Sequence, residues 1–288
     1  LICHMLLIPS VAFPAVDPNA SATTTAVIQY LTNLPNLSGN RIISGQYTES
    51  RSGSTSNCSS GKTSCDDIAS IYNSTGKYVG LLMMDWTFSS ISNQSLIDYW
   101  NAGGLIQVGT HLNNFNTCSK SFCSGSGTGT AWDVSSIPTI ASLTTSGTTQ
   151  NTRLNNFLDG IAAHFTLLQN AGVVVLFRPL HEMNGSWFWW NHLGTTNYKT
   201  LWNYIVNYMN NTKELHNIIW VWSPNGYLDS AWYPGHDKVD VVSVDLYGVT
   251  SPTAVSGYSE LATTYNNKPF MLGEWGPCPG GLYESGCS

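Results

Sequence analysis

The feature that most constrains the fold is a continuous apolar run that ends abruptly in charged and polar side chains. Residues 173–177 read VVVLF and are followed by Arg178, His181 and Glu182. An apolar run without polar alternation is typical of a strand covered on both faces, as in a parallel sheet wrapped by helices. Burying three such groups without partners would cost several kcal/mol. The pattern therefore favours a functional strand end over a core helix with a stray polar pair.

Aromatic rings follow these polar groups closely, at Trp187, Trp189 and Trp190. Indole faces are flat apolar platforms on which the C–H face of a pyranose ring can stack. Side chains such as His181, Arg178 and Asn184 can hold a carboxyl group in one orientation through hydrogen bonds. A carboxylic acid among planar rings indicates a site for a sugar.

Short apolar segments alternate along the chain with longer amphipathic stretches. The predicted strands are residues 41–47, 78–86, 104–112, 173–181, 217–223, 239–247 and 269–275. The predicted helices include residues 23–34, 93–102, 153–171, 197–211 and 255–265. Such alternation predicts βα units and a parallel sheet. The Ser/Thr/Gly-rich residues 120–147 are predicted to be a loop on the site face, with Trp132 as a surface contact.

The ends of these strands favour a (β/α)8 TIM barrel, the α/β fold in which all carboxyl ends of the strands meet at one rim. Polar or aromatic side chains stand at most of the ends, including Asp85, His111 and Trp275. A doubly wound open sheet is the alternative, but no Gly-rich phosphate loop follows the first strand. Seven strands can be counted before Ser288. The prediction is therefore a barrel that lacks its last βα unit in this chain.

Composition narrows the class of partner. With 288 residues, 42% of them hydrophobic, the chain can bury one barrel-sized core, and no linker is evident. Only 10% of the residues are charged and the net charge is -6, which argues against nucleic acid or an anionic membrane as a partner. A neutral polymer fits this composition better, and we expect a monomer.

The N-terminus and the cysteines predict a secreted, extracellular protein. Residues 1–12 resemble the end of a signal peptide, with Ser10 and Ala12 at the small-residue positions of a cleavage site. Without Cys3, an even number of cysteines remains, as expected in an oxidising compartment. Neighbouring cysteines predict three local disulfides: Cys58–Cys65, Cys118–Cys123 and Cys278–Cys287. Zinc is the competing interpretation, but no CxxC pair or His-rich cluster accompanies them.

Several motifs together resemble one known family. FRPLHEMNGSWFWW at 177–190 is the most specific, and GEWG at 273–276, DLYG at 245–248, SGQY at 44–47 and THLNN at 110–114 support it. These residues resemble glycoside hydrolase family 26, whose members are mostly endo-β-1,4-mannanases. The resemblance covers most of the chain, and it implies that residues 13–288 are the catalytic barrel of a glycoside hydrolase.

The resemblance also implies residue roles. Glu182, after the fourth strand, would be the general acid/base, and Glu274, on the seventh, the nucleophile. His181 and Tyr247 match the family's active-site histidine and tyrosine, and Trp187 matches its sugar-platform tryptophan. Further predicted contacts to substrate are His111, Arg178, Asn184, Trp190, Asp85 and Trp275.

Two carboxyl groups suffice for retaining hydrolysis, so no metal or organic cofactor is expected. The pKa of Glu182 should be raised by its tryptophan-rich surroundings, while Glu274 should stay ionised beside Tyr247 and Arg178. The expected substrate is mannan, glucomannan or galactomannan. A β-1,3-xylanase or mixed-linkage β-glucanase of the same family, an exo-acting enzyme, a transglycosylase and a non-catalytic carbohydrate-binding protein remain as alternatives.

Overall fold

The computed structural model describes residues 14–39, 41–48, 67–89, 91–120, 122–123, 127–249 and 255–276. Their strands form one parallel sheet in chain order. The strands are β1 (Gly45–Tyr47), β2 (Leu81–Asp85), β3 (Leu105–Gly109), β4 (Val175–Arg178), β5 (Ile218–Trp222), β6 (Val241–Tyr247) and β7 (Phe270–Gly276). The helices are α1 (Ala22–Asn33), α2 (Asp67–Thr75), α3 (Asn93–Asn101), α4 (Ile140–Thr144), α5 (Thr149–Asn170) and α6 (Gly194–Asn207).

Each strand pairs in parallel with the next one along the chain, as in the pairing of Ile106 with Val175 between β3 and β4. A parallel sheet in sequential order, with helices between its strands, is the arrangement of a (β/α)8 barrel. The described residues supply seven of its strands, which confirms the predicted fold class. All carboxyl ends of these strands face the same rim.

The core lies between the sheet and its helices. Every residue of β4 and β5 is buried, because both faces of the central strands are covered. Helix α5 packs its apolar stripe against them with buried residues at helical spacing: Leu154, Leu158, Ile161, Phe165 and Leu168. Thr148 caps the start of this helix by accepting a hydrogen bond from the backbone N–H of Asn151. Helix α5 therefore fixes the back of the strand that carries the predicted site.

The strands were predicted within a few residues, but two connecting segments differ. The prediction of a helix at residues 255–265 was wrong: this segment contains only a short 3-10 turn, Tyr258–Glu260, and further turns. Gly257 stands at φ +85°, and Asn266 and Asn267 are left-handed as well, so the backbone reverses at both sides of the segment.

The predicted loop at residues 120–147 contains helix α4, whose N-cap Thr139 accepts a hydrogen bond from the N–H of Ser142. Helix α2 was not predicted. None of the helices in the described part of the chain combines the length and the apolarity needed to cross a membrane.

Candidate active site

The chain turns sharply after β4 and so brings Glu182 to the rim. Leu180 and Glu182 have φ values of +48° and +53°, a left-handed conformation that non-glycine residues rarely adopt. Such residues cost about 1–3 kcal/mol each and persist only where the surroundings enforce them. Here the N–H of Glu182 donates to the carbonyl of Ser223 at 2.7 Å, which ties the turn to the end of β5.

The carboxyl group of Glu182 accepts hydrogen bonds on both oxygens. Asn225 Nδ2 donates to Oε1 at 2.9 Å, and Trp187 Nε1 donates to Oε2 at 2.8 Å. Burial raises the pKa of this carboxyl, and the negative charge of Glu274 raises it further, against the two hydrogen bonds and Arg178. Glu182 is therefore better suited than an exposed glutamate to hold a proton and to donate it.

Glu274 lies in the opposite electrostatic environment. Arg178 Nη2 donates to its Oε1, and the hydroxyl of Tyr247 donates to its Oε2. Burial acts to raise the pKa of Glu274, but the charge of Arg178 and these two hydrogen bonds outweigh it, so the pKa is lowered. The pKa values of Glu182 and Glu274 are therefore displaced in opposite directions, as in sites where two carboxyl groups act as acid and nucleophile.

Arg178 is itself held by a second carboxylate beneath the site. Its Nη1 donates to Asp245 Oδ2 at 2.6 Å, and the Ser223 hydroxyl donates to Asp245 Oδ1 at 2.8 Å. Gly273 makes room for this network, since a Cβ there would lie 2.4 Å from Asp245 Oδ1 and 2.5 Å from Ser243 Oγ. Arg178 is only 1% exposed, so it acts on Asp245 and Glu274 and not on a sugar directly, which corrects its prediction as a substrate contact.

His111 and its partners form the next part of the rim, toward β2 and β3. Its Nδ1 lies 2.8 Å from Asp85 Oδ2, and Asp85 Oδ1 accepts from the N–H of Thr87 at 2.7 Å. The imidazole stacks on Trp132, with ring centres 4.8 Å apart. Asp85, which was predicted as a substrate contact, is a buried support that orients His111. Trp132, predicted as a surface contact, lies half-buried against that ring.

His181 is buried and its ring stands edge-on to that of His111, with centres 4.7 Å apart. Burial lowers its pKa well below the usual value, and the charge of Arg178 adds to this effect. His181 is therefore neutral. Its carbonyl accepts a hydrogen bond from Trp190 Nε1 at 2.9 Å.

Trp190 and Asn184 are not placed as sugar contacts, which corrects two predictions. Trp190 is fully buried and stacks on Phe188 at 4.4 Å, so no face of its indole is open to a ligand. Asn184 uses its amide to hold the backbone of Asn225. Both were assigned to substrate because polarity and aromaticity in a motif do not reveal which way a side chain points.

Trp187 and Trp275 do present open rings at the rim. Trp187 is 40% exposed and Trp275 is 47% exposed. Trp187 is oriented by its bond to Glu182, and Trp275 by donation from Nε1 to the carbonyl of Val249 at 3.1 Å. Both indoles are thus fixed with a face available for stacking.

Of the three predicted disulfides, Cys118–Cys123 is present, with the Cα atoms 6.0 Å apart. It closes a short loop beside Asn113, whose Nδ2 donates to the carbonyl of Cys123 at 2.6 Å. The other two predicted pairs and the predicted signal segment, residues 1–12, lie outside the described residues. Within the described part, no group of three or more His, Cys, Asp or Glu side chains is arranged to hold a metal ion.

The sequence indicated no role in the site for Asn225 or Ser223, and it left Asp245 open between a sugar contact, a support for His or Arg, and a purely structural role. Each stands at or just after a strand end, and that position was the available signal. Their partners are 22–67 residues away along the chain, at Glu182, Asp245 and Arg178, and such pairings follow from the barrel and not from a local motif.

Known proteins resemble the chain over most of its length. The family described as glycosyl hydrolase family 26 matches residues 16–285. A mannan endo-1,4-beta-mannosidase of Bacillus subtilis is 37% identical over 91% of this chain and 73% of its own length. The mannan endo-1,4-beta-mannosidase A and B of Caldalkalibacillus mannanilyticus is 34% identical over 91% of this chain and 51% of its own.

The solved structure of Bacillus subtilis mannanase man26 superposes with a TM-score of 0.73 at 32% identity, over 91% of this chain and 80% of that one. A ruminal GH26 endo-beta-1,4-mannanase reaches 0.75 at 23% identity, over 94% of this chain and 61% of that one, which bears on the fold alone. The match to the family along nearly the whole barrel shows that the chain belongs to glycosyl hydrolase family 26 and is a glycoside hydrolase.

Proposed function

We propose that the chain is a retaining endo-β-1,4-mannanase that hydrolyses mannan, glucomannan or galactomannan. The observation that carries the mechanism is that Glu182 and Glu274 lie at the same rim with different partners, which leave the pKa of Glu182 raised and that of Glu274 lowered. The substrate class is supported by the relatives, which are named mannan endo-1,4-beta-mannosidase. Retention requires two carboxyl groups about 5–5.5 Å apart, one to attack and one to protonate.

In the first step, an oxygen of Glu274 attacks the anomeric carbon while Glu182 gives its proton to the departing glycosidic oxygen. Arg178 and Tyr247 hold the attacking carboxylate in one orientation. The bond between the anomeric carbon and the leaving oxygen breaks, and a glycosyl ester on Glu274 forms. The negative charge of Glu274 disappears in this step, which eases the loss of the proton from Glu182.

In the second step, Glu182 is ionised and takes a proton from water as the water attacks the anomeric carbon. The ester bond breaks, Glu274 regains its charge, and the sugar leaves with its original configuration. Asn225 and Trp187 stabilise the ionised form of Glu182 through their hydrogen bonds. Each group ends the cycle in its starting protonation state.

We assign the contacts with sugar rings to the residues that present open or half-buried groups at the rim. Trp187 and Trp275 offer exposed indole faces for stacking. Tyr247 and His111 carry polar atoms beside the catalytic pair, and His111 is held in place by Asp85. His181 is buried and packs edge-on against His111, so we leave it outside this set.

We also propose that the enzyme is secreted. The bonded Cys118–Cys123 pair supports an oxidising compartment. The test is whether the protein, expressed from its natural gene, is recovered from the culture medium with residues 1–12 removed. Retention of the intact segment inside the cell would contradict this part of the proposal.

The experiment that tests the activity is reducing-sugar release from glucomannan, galactomannan, β-1,3-xylan and barley β-glucan in parallel, with Glu274→Ala as the control. Activity confined to the mannans, and lost in the control, is expected. The configuration of the first product, followed by NMR, should be that of the substrate. Activity on β-1,3-xylan or β-glucan alone would change the substrate assignment, and parent-level turnover in Glu274→Ala would overturn the nucleophile.

Product analysis separates the remaining alternatives. A ladder of oligosaccharides early in the reaction indicates endo action, and a single short product indicates exo action. Products longer than the starting oligosaccharide indicate transglycosylation. Binding of mannan by a folded protein that hydrolyses none of the polymers would indicate a carbohydrate-binding protein.

A further inference from the structure

The position of Glu182 depends on a side chain from the next strand end. Asn225 follows β5, and its Nδ2 donates to Glu182 Oε1 at 2.9 Å. A carboxyl group that changes from acid to base during one turnover needs support in its ionised state, because burial opposes the charge. An amide N–H supplies this support, since it donates to a carboxylate more strongly than to a neutral acid.

Asn225 is itself held by Asn184, which belongs to the turn that carries Glu182. Asn184 Nδ2 donates to the carbonyl of Asn225 at 2.9 Å, and Asn184 Oδ1 accepts from its N–H at 2.7 Å. One side-chain amide therefore satisfies both backbone groups of a residue 41 positions away. The N–H of Gly226, next in the chain, donates to the carbonyl of Asp245 at 2.8 Å and secures the other side.

We propose that Asn184 and Asn225 act as a positioning pair, in which Asn184 fixes the backbone of Asn225 so that the Asn225 amide stabilises ionised Glu182. This inference rests on the proposed function, because it assigns a purpose to the base form of Glu182. The pair closes a ring of contacts: Glu182 lies two residues before Asn184, and both reach the same residue after β5. The turn after β4 is thereby joined to the loop after β5 at the catalytic carboxyl itself.

Asn225→Ala tests the donor cleanly, because Asn184 binds only the backbone of Asn225 and its two bonds survive the change. Without the donor, ionised Glu182 is less stable and its pKa rises. The acid form then persists to higher pH, so the alkaline limb of kcat/KM moves upward by about one pH unit. An alkaline limb that does not move would overturn the role of Asn225.

Asn184→Ala should shift the alkaline limb in the same direction, because it frees the backbone of Asn225. If Asn184 acts through Asn225, the double variant shifts no further than Asn225→Ala alone. Additive shifts would show that Asn184 acts on Glu182 by another route and would overturn the pair. The matched control is Asn191→Ala: Asn191 Nδ2 donates to the carbonyl of Met183 at 2.6 Å in the same turn. Asn191→Ala should lower the thermal stability without shifting the alkaline limb of kcat/KM.

A direct titration separates this inference from the proposed function. The pKa of Glu182 can be followed by carbon NMR of labelled glutamate in the whole chain, with its signal assigned by loss in Glu182→Gln. Asn225→Ala and Asn184→Ala should both raise this pKa, whether or not any mannan is cleaved. Unchanged titration in an active enzyme would overturn the pair and leave the function standing. Raised pKa values in a protein that hydrolyses no mannan would support the positioning pair and contradict the proposed function.

Discussion

At the scale of single residues, the site depends on giving two identical side chains opposite surroundings. Burial and the charge of Glu274 raise the pKa of Glu182, and the hydrogen bonds from the uncharged donors Trp187 and Asn225 offset this only in part. Glu274 faces the guanidinium of Arg178, so its pKa is lowered. The sequence predicted both glutamates and the direction of both shifts. It did not assign Asn225 to Glu182, because that contact exists only after β4 and β5 are aligned.

Tyr247→Phe should move the acid limb of the pH profile. The hydroxyl donates to Glu274, so its loss destabilises the ionised nucleophile and raises the pKa of that carboxyl. Under the proposed mechanism Glu274 must be ionised to attack, so its pKa sets the acid limb of the pH profile of kcat/KM. That limb should therefore shift upward by about one pH unit. Tyr258→Phe, at an exposed ring, serves as the control. An acid limb that stays in place would remove Tyr247 from the ionisation of Glu274.

Gly273→Ala should destabilise the fold, because the added methyl group would meet Asp245, Ser243 and Ser223. Overpacking of a filled core costs about 1–3 kcal/mol, and displacing a buried carboxylate from its partner adds to it. Urea unfolding of the variant and the parent measures the difference. A variant as stable as the parent would show that the network has room to move.

At the scale of elements, the local pattern of apolar residues predicted the strands and most helices. A strand buried on both faces is a continuous apolar run, and a helix with one buried face is an amphipathic stretch. Helix α5 was identified from its apolar spacing. The segment at 255–265 has the composition of a helix but forms turns, since its backbone must return to β7 through the left-handed residues Asn266 and Asn267. Local propensity does not contain that requirement.

Gly160→Ala should stabilise helix α5. Gly160 lies inside the helix, and a Cβ at this position meets no atom within 4 Å. Alanine is favoured over glycine in a helix interior by about 1 kcal/mol. The free energy of unfolding should rise by that amount with kcat unchanged, since the helix packs behind the sheet. No gain in stability would contradict the prediction and show that helix propensity at this position does not limit the stability of the fold.

At the scale of the whole molecule, one buried network joins strands that are far apart in the chain. Arg178 at the end of β4 binds Asp245 on β6 and Glu274 on β7, across 67 and 96 residues of sequence. The planar guanidinium can serve two carboxylates at once, which the single ammonium of lysine does poorly. Closure of this side of the sheet and ionisation of Glu274 thus depend on the same side chain.

Arg178→Lys should therefore affect stability and catalysis together. Leaving a buried carboxylate without its partner costs about 3–5 kcal/mol, so Tm should fall markedly. The pKa of Glu274 should rise, and the acid limb should move to higher pH. Arg153→Lys is the matched control, because Arg153 donates only to the carbonyl of Phe115 at 3.1 Å. Loss of stability without a shifted acid limb would show that Arg178 stabilises the fold through Asp245 but does not control the pKa of Glu274.

The sequence by itself determined the fold class and the order of the strands, because apolar periodicity is a local property, and its motifs predicted the two glutamates as the catalytic pair. Only the tertiary structure decided what each neighbouring polar or aromatic group does. Trp190 and Trp187 lie three residues apart, yet one is fully buried and the other is 40% exposed. Asn184 holds a backbone instead of facing a sugar. The physical reason is that direction and partner are set where strands distant in sequence meet at one rim.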